Sequence, residues 1–455
     1  MTFCSMFLFI FILSIFVSSS HGTGSDKITA LPTQPKVGFK QYAGYVNIDV
    51  NNGTKLFYYF VEAENHPASK PVVLWLHGGP GCSAIGEGAF GQHGPFKTTI
   101  RGLVKNPFSR NREANMIYLD SPTGVGFSYS TNTSDYFFVD DETAARDHLA
   151  FLEHWFSKFP NFRTNDFFIA GESYAGHYAP QLAELIFKIK ANINLKGIAI
   201  GNPLLDFDVD YNSSVEFLKT HGQISRSTYH DLKEVCSYPN IRREYIFNKF
   251  TKSCQDVNTK LSLNVHGFTN RFNVIADKCP AAPENQKYLK QMGEKAFVCI
   301  RDATFAYMNM KKTQKALHAV LVGRKIWSAC SMTLLYNPQS QLIPTISILG
   351  TLVKAGIRVL AFSGDQDSWI PFIGTELLIE EMAKDFGVEI TRPHEAWFQG
   401  GQVAGWTQEY GNFLTFATIK GAGHSAGKFQ PERTLVMWKA FLEGKPLPKR
   451  HPYHY

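Results

Sequence analysis

Six short apolar runs recur along this chain: "VVLWLH", "NMIYLD", "DFFIA", "KGIAIGN", "RVLAFSG" and "FLTFATIK". Each is nearly continuous rather than alternating, the pattern of a strand buried on both faces. Helical spacing separates several of them. Between Asp140 and Pro160 apolar residues recur at Ala145, Leu149, Leu152, Phe156 and Phe159, and Asp140 and Asp141 favour the N-terminus of such a helix. Further helices are expected over about Tyr174–Lys190, around Glu376–Phe386 and over the closing "PERTLVMWKAFLEG". Strands alternating with helices imply an α/β fold with a mostly parallel central sheet covered on both faces. Two β-rich segments, Ala43–Val50 and Lys55–Glu62, precede it, joined by the turn-like "NNGT". The span from about residue 206 to 337 breaks the alternation and contains Cys236, Cys254, Cys279 and Cys299. It reads as an insertion, a cap stapled by local disulfides and lying over one end of the sheet.

Composition adds limits. The 455 residues, 44% hydrophobic and 19% charged, provide ample core for one large domain or two ordinary ones. The net charge of +7 comes from scattered Lys and Arg, which argues against nucleic acid as a partner. Met6 to Val17 is a nearly unbroken apolar run followed by Ser18, Ser19 and Ser20, although no Lys or Arg precedes it. That is the size of a secretory h-region and too short to span a membrane comfortably. A signal peptide is therefore expected over residues 1–22, a catalytic domain over 23–455, and no stable membrane anchor. Removing Cys4 with the leader leaves Cys82, Cys236, Cys254, Cys279, Cys299 and Cys330, an even set that suits disulfides in an exported protein. Sequence alone leaves their pairing open. No C-x-x-C pair occurs, which argues against a structural zinc site. Sequons begin at Asn52, Asn132 and Asn212.

One stretch carries chemistry: "FFIAGESYAGHYAP" sets Ser173 after an apolar run and before a helix. Gly171 and Gly176 would allow the tight strand–turn–helix of a nucleophile elbow, with Ala175 as the second small residue of the pentapeptide. A serine hydroxyl needs a base, and the base needs an orienting acid. Both follow in the order Ser, Asp, His: "FSGDQD" offers Asp365 or Asp367 after one strand, and "GAGHSAG" offers His424 after the last. The constellation implies nucleophilic acyl transfer and calls for no metal or cofactor.

The blocks "GESYAGHYAP", "LWLHGGPGCS", "LDSPTGVGFSYS", "FSGDQD" and "GAGH" resemble the serine carboxypeptidases and serine carboxypeptidase-like proteins, particularly those of plants, over about residues 44–448. The resemblance implies an α/β-hydrolase fold with Ser173 as nucleophile, His424 as base and Asp367 as orienting acid. It also implies an oxyanion hole from the amides of Gly79 and Tyr174. The implied disulfides join Cys82 to Cys330, Cys236 to Cys254 and Cys279 to Cys299. Relatives include homodimers, and the final compartment implied is extracellular or vacuolar.

The same resemblance puts the substrate in question. The carboxypeptidases bind a peptide's free C-terminal carboxylate with an asparagine before G-G-P-G, a glutamate before a following G-P, and a glutamate before the nucleophile. Here His77 and Gln92 replace the first two and Glu172 keeps the third. Gln92 donates a hydrogen bond at any pH, and His77 would attract a carboxylate directly if cationic. The reading is a secreted carboxypeptidase-like hydrolase acting on peptides. Two alternatives stand beside it: an acyltransferase using acyl-glucose donors, and a catalytically silent binding protein. The acyltransferases typically carry Asp before the nucleophile, so Glu172 favours the peptidase. The segment after the histidine, "HSAGKFQPE", lacks the proline common in relatives.

Overall fold

All six apolar runs become strands of one sheet. The computed structural model describes residues 24–265, 267, 269–279 and 299–449. The expected signal peptide, residues 1–22, lies outside the described residues. The strands are β1 (Lys27–Ile28), β2 (Gln41–Asp49), β3 (Thr54–Val61), β4 (Val72–His77), β5 (Asn115–Asp120), β6 (Phe167–Glu172), β7 (Leu195–Gly201), β8 (Arg358–Gly364), β9 (Ile390–Gln399), β10 (Gln402–Tyr410) and β11 (Leu414–Ile419). Across the sheet their order is β1-β2-β3-β5-β4-β6-β7-β8-β11-β10-β9. The block from β5 to β11 is parallel. Antiparallel pairs flank it: β1 to β3 on one side and the β9–β10 hairpin on the other. This is the α/β-hydrolase type of sheet, mostly parallel at its centre.

The apolar runs are continuous because both faces of the sheet are covered. Leu74, Ile117, Ile169, Ile198 and Val359 enter one core, while their neighbours Val73, Met116, Phe168, Ala199 and Leu360 enter a second on the other face. The first core is covered by helices Asp141–Lys158, Ala175–Lys188 and Phe372–Asp385, and the second by helix Pro431–Glu443 and the segment Ala84–His93. The Asp140 carboxylate caps helix Asp141–Lys158 by accepting from the Thr143 amide at 2.8 Å. Its buried stripe is wider than the sequence reading, because Phe151 and Trp155 join Leu149, Leu152 and Phe156.

Two features differ from the expectation. Helix Phe372–Asp385 begins before Glu376, just behind Pro371, whose ring suits the start of a helix. The β9–β10 hairpin is half exposed and broken by register shifts, so no continuous apolar run announces it.

Between β7 and β8 helices replace the strand–helix alternation, among them Phe207–Thr220, Arg226–Glu234, Tyr238–Phe247, Lys252–Val265 and Ile300–Met308. Disulfides join Cys236 to Cys254, Cys279 to Cys299 and Cys82 to Cys330. The last ties the far end of this region to the turn after β4, where the Ser83 amide also donates to Ala329 and the Ser331 amide to Gly81.

Candidate active site

Parallel strands deliver their last residues to one edge, and ligands of such sheets bind beyond those carboxyl ends. β4 ends at His77, β6 at Glu172, β8 three residues before Asp367 and β11 five before His424. Ser173 follows β6 directly, with φ +63°, and helix Ala175–Lys188 starts two residues later. A non-glycine residue held in that left-handed region is strained. The fold holds it: the Ser173 amide donates to the Gly201 carbonyl at 2.9 Å, and its carbonyl accepts from Gly176 at 2.9 Å and Leu204 at 3.1 Å. Close packing explains the small residues. A Cβ on Gly171 would lie 2.4 Å from the Ala175 Cβ, and one on Gly176 would lie 2.4 Å from the Leu204 carbonyl oxygen. On the facing turn, a Cβ on Gly78 would stand 2.4 Å from the Tyr174 amide nitrogen and 2.7 Å from the Ser173 Cβ. Among the described residues neither the Gly79 nor the Tyr174 amide donates to a backbone carbonyl.

Asp367, not Asp365, meets the histidine. Its Oδ2 lies 2.7 Å from His424 Nδ1, and its carboxylate also accepts from Asn202 Nδ2 at 3.0 Å and the Trp369 amide at 2.8 Å. Asp365 instead accepts from the Gly421 amide at 2.7 Å, fixing the base of the His424 loop. Burial opposes charge on His424. The Asp367 charge, the hydrogen bond to it and the Glu172 charge outweigh that, so its pKa stands above the usual 6.5. The inserted region packs onto both loops: the Ser368 amide donates to Arg271, Val274 to Gln366 and His424 to the Phe272 carbonyl at 2.7 Å. Gly423 leaves room for this, since a Cβ there would sit 2.1 Å from the Phe272 oxygen.

Ser173 and His424 line one cavity of about 400 Å³ with His77, Gly79, Gln92 and Glu172. Among the described residues the Ser173 hydroxyl makes no hydrogen bond and faces the cavity that His424 also lines. Glu172 is buried and accepts from Gln92 Nε2 at 2.7 Å and Ser425 Oγ at 3.0 Å, with His77 Nδ1 3.6 Å away. Burial raises its pKa to about 7, against the lowering effects of the His424 charge and the two hydrogen bonds. Gln92 is itself placed from β5. Asp120 accepts from Ser83 Oγ at 2.5 Å, Ser83 caps the segment Ala84–His93, and that segment carries Gln92. The cationic form of His77 that one sequence reading allowed is disfavoured by its surroundings. Burial, with the nearby His424 and Arg301 charges, lowers its pKa to about 3, and its Nδ1 has no hydrogen-bond partner.

A model of the serine carboxypeptidase family matches residues 32–444. The chain belongs to the serine carboxypeptidase family. "Serine carboxypeptidase-like 45" of Arabidopsis thaliana is 49% identical to it, with 97% of each chain covered. "Serine carboxypeptidase-like 46" of the same plant is 47% identical, covering 98% of this chain and 97% of its own. A solved structure of a prohormone-processing carboxypeptidase from Saccharomyces cerevisiae superposes with a TM-score of 0.75 at 21% identity, covering 93% of this chain and 96% of that one. At that identity the likeness is one of fold.

Some neighbours in this serine carboxypeptidase-like protein had no sequence signal. Ser425 and Asn202 stand within "GAGHSAG" and "KGIAIGN", but nothing in those stretches marks them as partners of Glu172 and Asp367; the fold makes those contacts. Arg301, Lys428, Phe272 and Trp369 also line the cavity, all of them distant from Ser173 in sequence. The sequons fall in different settings. Asn132 Nδ2 lies 3.4 Å from Asn52 Oδ1 on adjoining exposed loops, whereas Asn212 sits half-buried within helix Phe207–Thr220.

Proposed function

We propose that this protein is a serine-type carboxypeptidase that releases C-terminal residues from peptides through an acyl-enzyme. The observation that carries the reading is one cavity holding both the strained Ser173 beside the His424–Asp367 pair and a carboxyl, Glu172, protonated over the acidic range. Ser173 Oγ attacks the scissile carbonyl while His424 Nε2 takes its proton. Asp367 keeps the other ring nitrogen protonated and steadies the imidazolium. The Gly79 and Tyr174 amides receive the oxyanion, a contribution of about 3–4 kcal/mol per donor in comparable sites. His424 then gives the proton to the leaving amine, and water repeats the sequence on the acyl-enzyme.

Below about pH 7 the protonated Glu172 donates a hydrogen bond, beside Gln92, to the substrate carboxylate. Neutral His77 is then a hydrogen-bonding wall rather than a charge. Three disulfides support an oxidising compartment, and with the leader expected over residues 1–22 they support a secretory-pathway protein. No described helix is long and apolar enough to cross a membrane.

The test compares N-blocked dipeptides with their C-terminal amides from acidic to neutral pH, with Ser173→Ala as control. Faster cleavage of the free acids, lost in Ser173→Ala, supports the proposal. If neither is cleaved while a fluorophosphonate labels Ser173, transfer from acyl-glucose donors to alcohols becomes the better reading, favoured by the changed residues His77 and Gln92. No labelling would favour a silent binding protein.

A further inference from the structure

The charged side chains lining the cavity do not balance. Arg301 Nε lies 2.8 Å from Glu87 Oε1, so those two charges neutralise each other. Glu172 is uncharged below about pH 7. Lys428 remains. It is half-buried and lines the cavity, and among the described residues its ammonium has no hydrogen bond or ion pair; its one partner is the Phe429 ring, 5.3 Å away at the centroid. Glu87, Arg301, Glu172 and Lys97 all act on it electrostatically, and burial holds its pKa below 10.5. A half-desolvated cation aimed into a cavity is stabilised by an anion brought in with the substrate.

Its position is fixed by the loop that carries the catalytic histidine. The Lys428 amide donates to the Ser425 carbonyl at 2.9 Å, and the Ser425 hydroxyl donates to Glu172. A Cβ on the preceding Gly427 would stand 3.3 Å from Gln92 Oε1. Lys428 therefore sits on the same side of the cavity as Gln92 and Glu172. On the carboxypeptidase reading, on which this inference rests, that is the side of the leaving residue. We propose that Lys428 forms a carboxylate subsite there, so that the protein selects substrates by an anionic group on the leaving residue. A carboxylate fits because it accepts two hydrogen bonds from an ammonium that has three to give. The carboxylate has two sources in a peptide, an acidic side chain or the C-terminus itself.

The experiment compares wild type, Lys428→Gln and Lys428→Arg on N-blocked dipeptides ending in Glu, Gln and glutamine amide. It also measures how well N-acetyl-glutamate, N-acetyl-glutamine and N-acetyl-glutamine amide protect Ser173 from a fluorophosphonate. Ratios within one variant are insensitive to its folded fraction. A charge-assisted contact of this kind corresponds to at least about tenfold in such a ratio. A Glu-over-Gln preference in wild type that falls to near unity in Lys428→Gln and persists in Lys428→Arg supports the side-chain source. A Gln-over-amide preference that falls in the same way supports the C-terminal source. Unchanged ratios in Lys428→Gln, or no preference in wild type, overturn the proposal. Should wild type cleave no peptide, the protection ratios still decide the subsite, so the two readings fail separately.

Discussion

Replacing Glu172 with Gln removes one proton-binding site and leaves the shape of the cluster intact. The introduced amide can still accept from Gln92 and Ser425 and still donate to a substrate carboxylate. With a pKa of about 7, Glu172 is about nine-tenths protonated at pH 6 and about one-tenth at pH 8. Binding of a free carboxylate then weakens about tenfold over that interval, and about tenfold for each further unit. His424 works in the opposite sense. On the proposed mechanism it must be neutral to act as base, and its raised pKa should set the rising acid limb of kcat/KM. On the same mechanism the wild-type profile on free-acid dipeptides should be a bell, whose limbs belong to a coupled pair because each charge shifts the other.

In Glu172→Gln the alkaline limb disappears, and the acid limb moves down because the charge that helped raise the His424 pKa is gone. Amidated substrates, which carry no carboxylate, should show no Glu172 limb in either protein. The same substitution affects stability with a definite sign. A carboxyl whose pKa is raised on folding costs stability as pH rises from about 4.5 through about 7. Glu172→Gln should therefore gain up to about 3 kcal/mol over wild type at pH 8 and little at pH 4, read by thermal melts. An alkaline limb of equal position and depth in both proteins would refute the reasoning.

Asp367→Asn should lower kcat by about 10⁴-fold, because the amide favours the wrong imidazole tautomer, whereas Asp365→Asn should lose far less; single-turnover acylation distinguishes them. Gly78→Ala should abolish fluorophosphonate labelling of folded protein, since its new methyl meets the Tyr174 amide and the Ser173 side chain. Asp141→Ala should destabilise the protein by about 3–5 kcal/mol in denaturant titrations. The buried Asp141 carboxylate accepts from the hydroxyls of Tyr174 at 3.0 Å and Tyr336 at 2.5 Å, and lies 2.8 Å from His177 Nδ1. Burial raises its pKa, but the His177 and tyrosine contacts outweigh burial and leave it below 3.8. That stabilisation is present above the unfolded value and is lost as pH falls through the folded one.

The amino-acid sequence by itself determined the sheet and the order in which chemistry is placed along it. Continuous apolar runs identify strands buried on both faces, and "VVLWLH", "NMIYLD" and "RVLAFSG" coincide with β4, β5 and β8 because alternate residues enter two cores, which favours apolar residues at consecutive positions. Small residues around Ser173 were legible for a similar reason, since a tight turn admits few side chains whatever surrounds it. The half-exposed β9–β10 hairpin was not, because its pairing rests on backbone hydrogen bonds that side-chain pattern does not encode. The residue pattern left Asp365 and Asp367 open and the family resemblance implied Asp367; the tertiary structure supplies the physical reason, since both follow one strand and the difference is which oxygen the His424 loop reaches. Likewise, burial, with the charges around each group, lowers the His77 pKa to about 3 and raises that of Glu172 to about 7. Ionisation in a cavity depends on how much water and which charges surround a group, and those neighbours come from parts of the chain far apart in sequence.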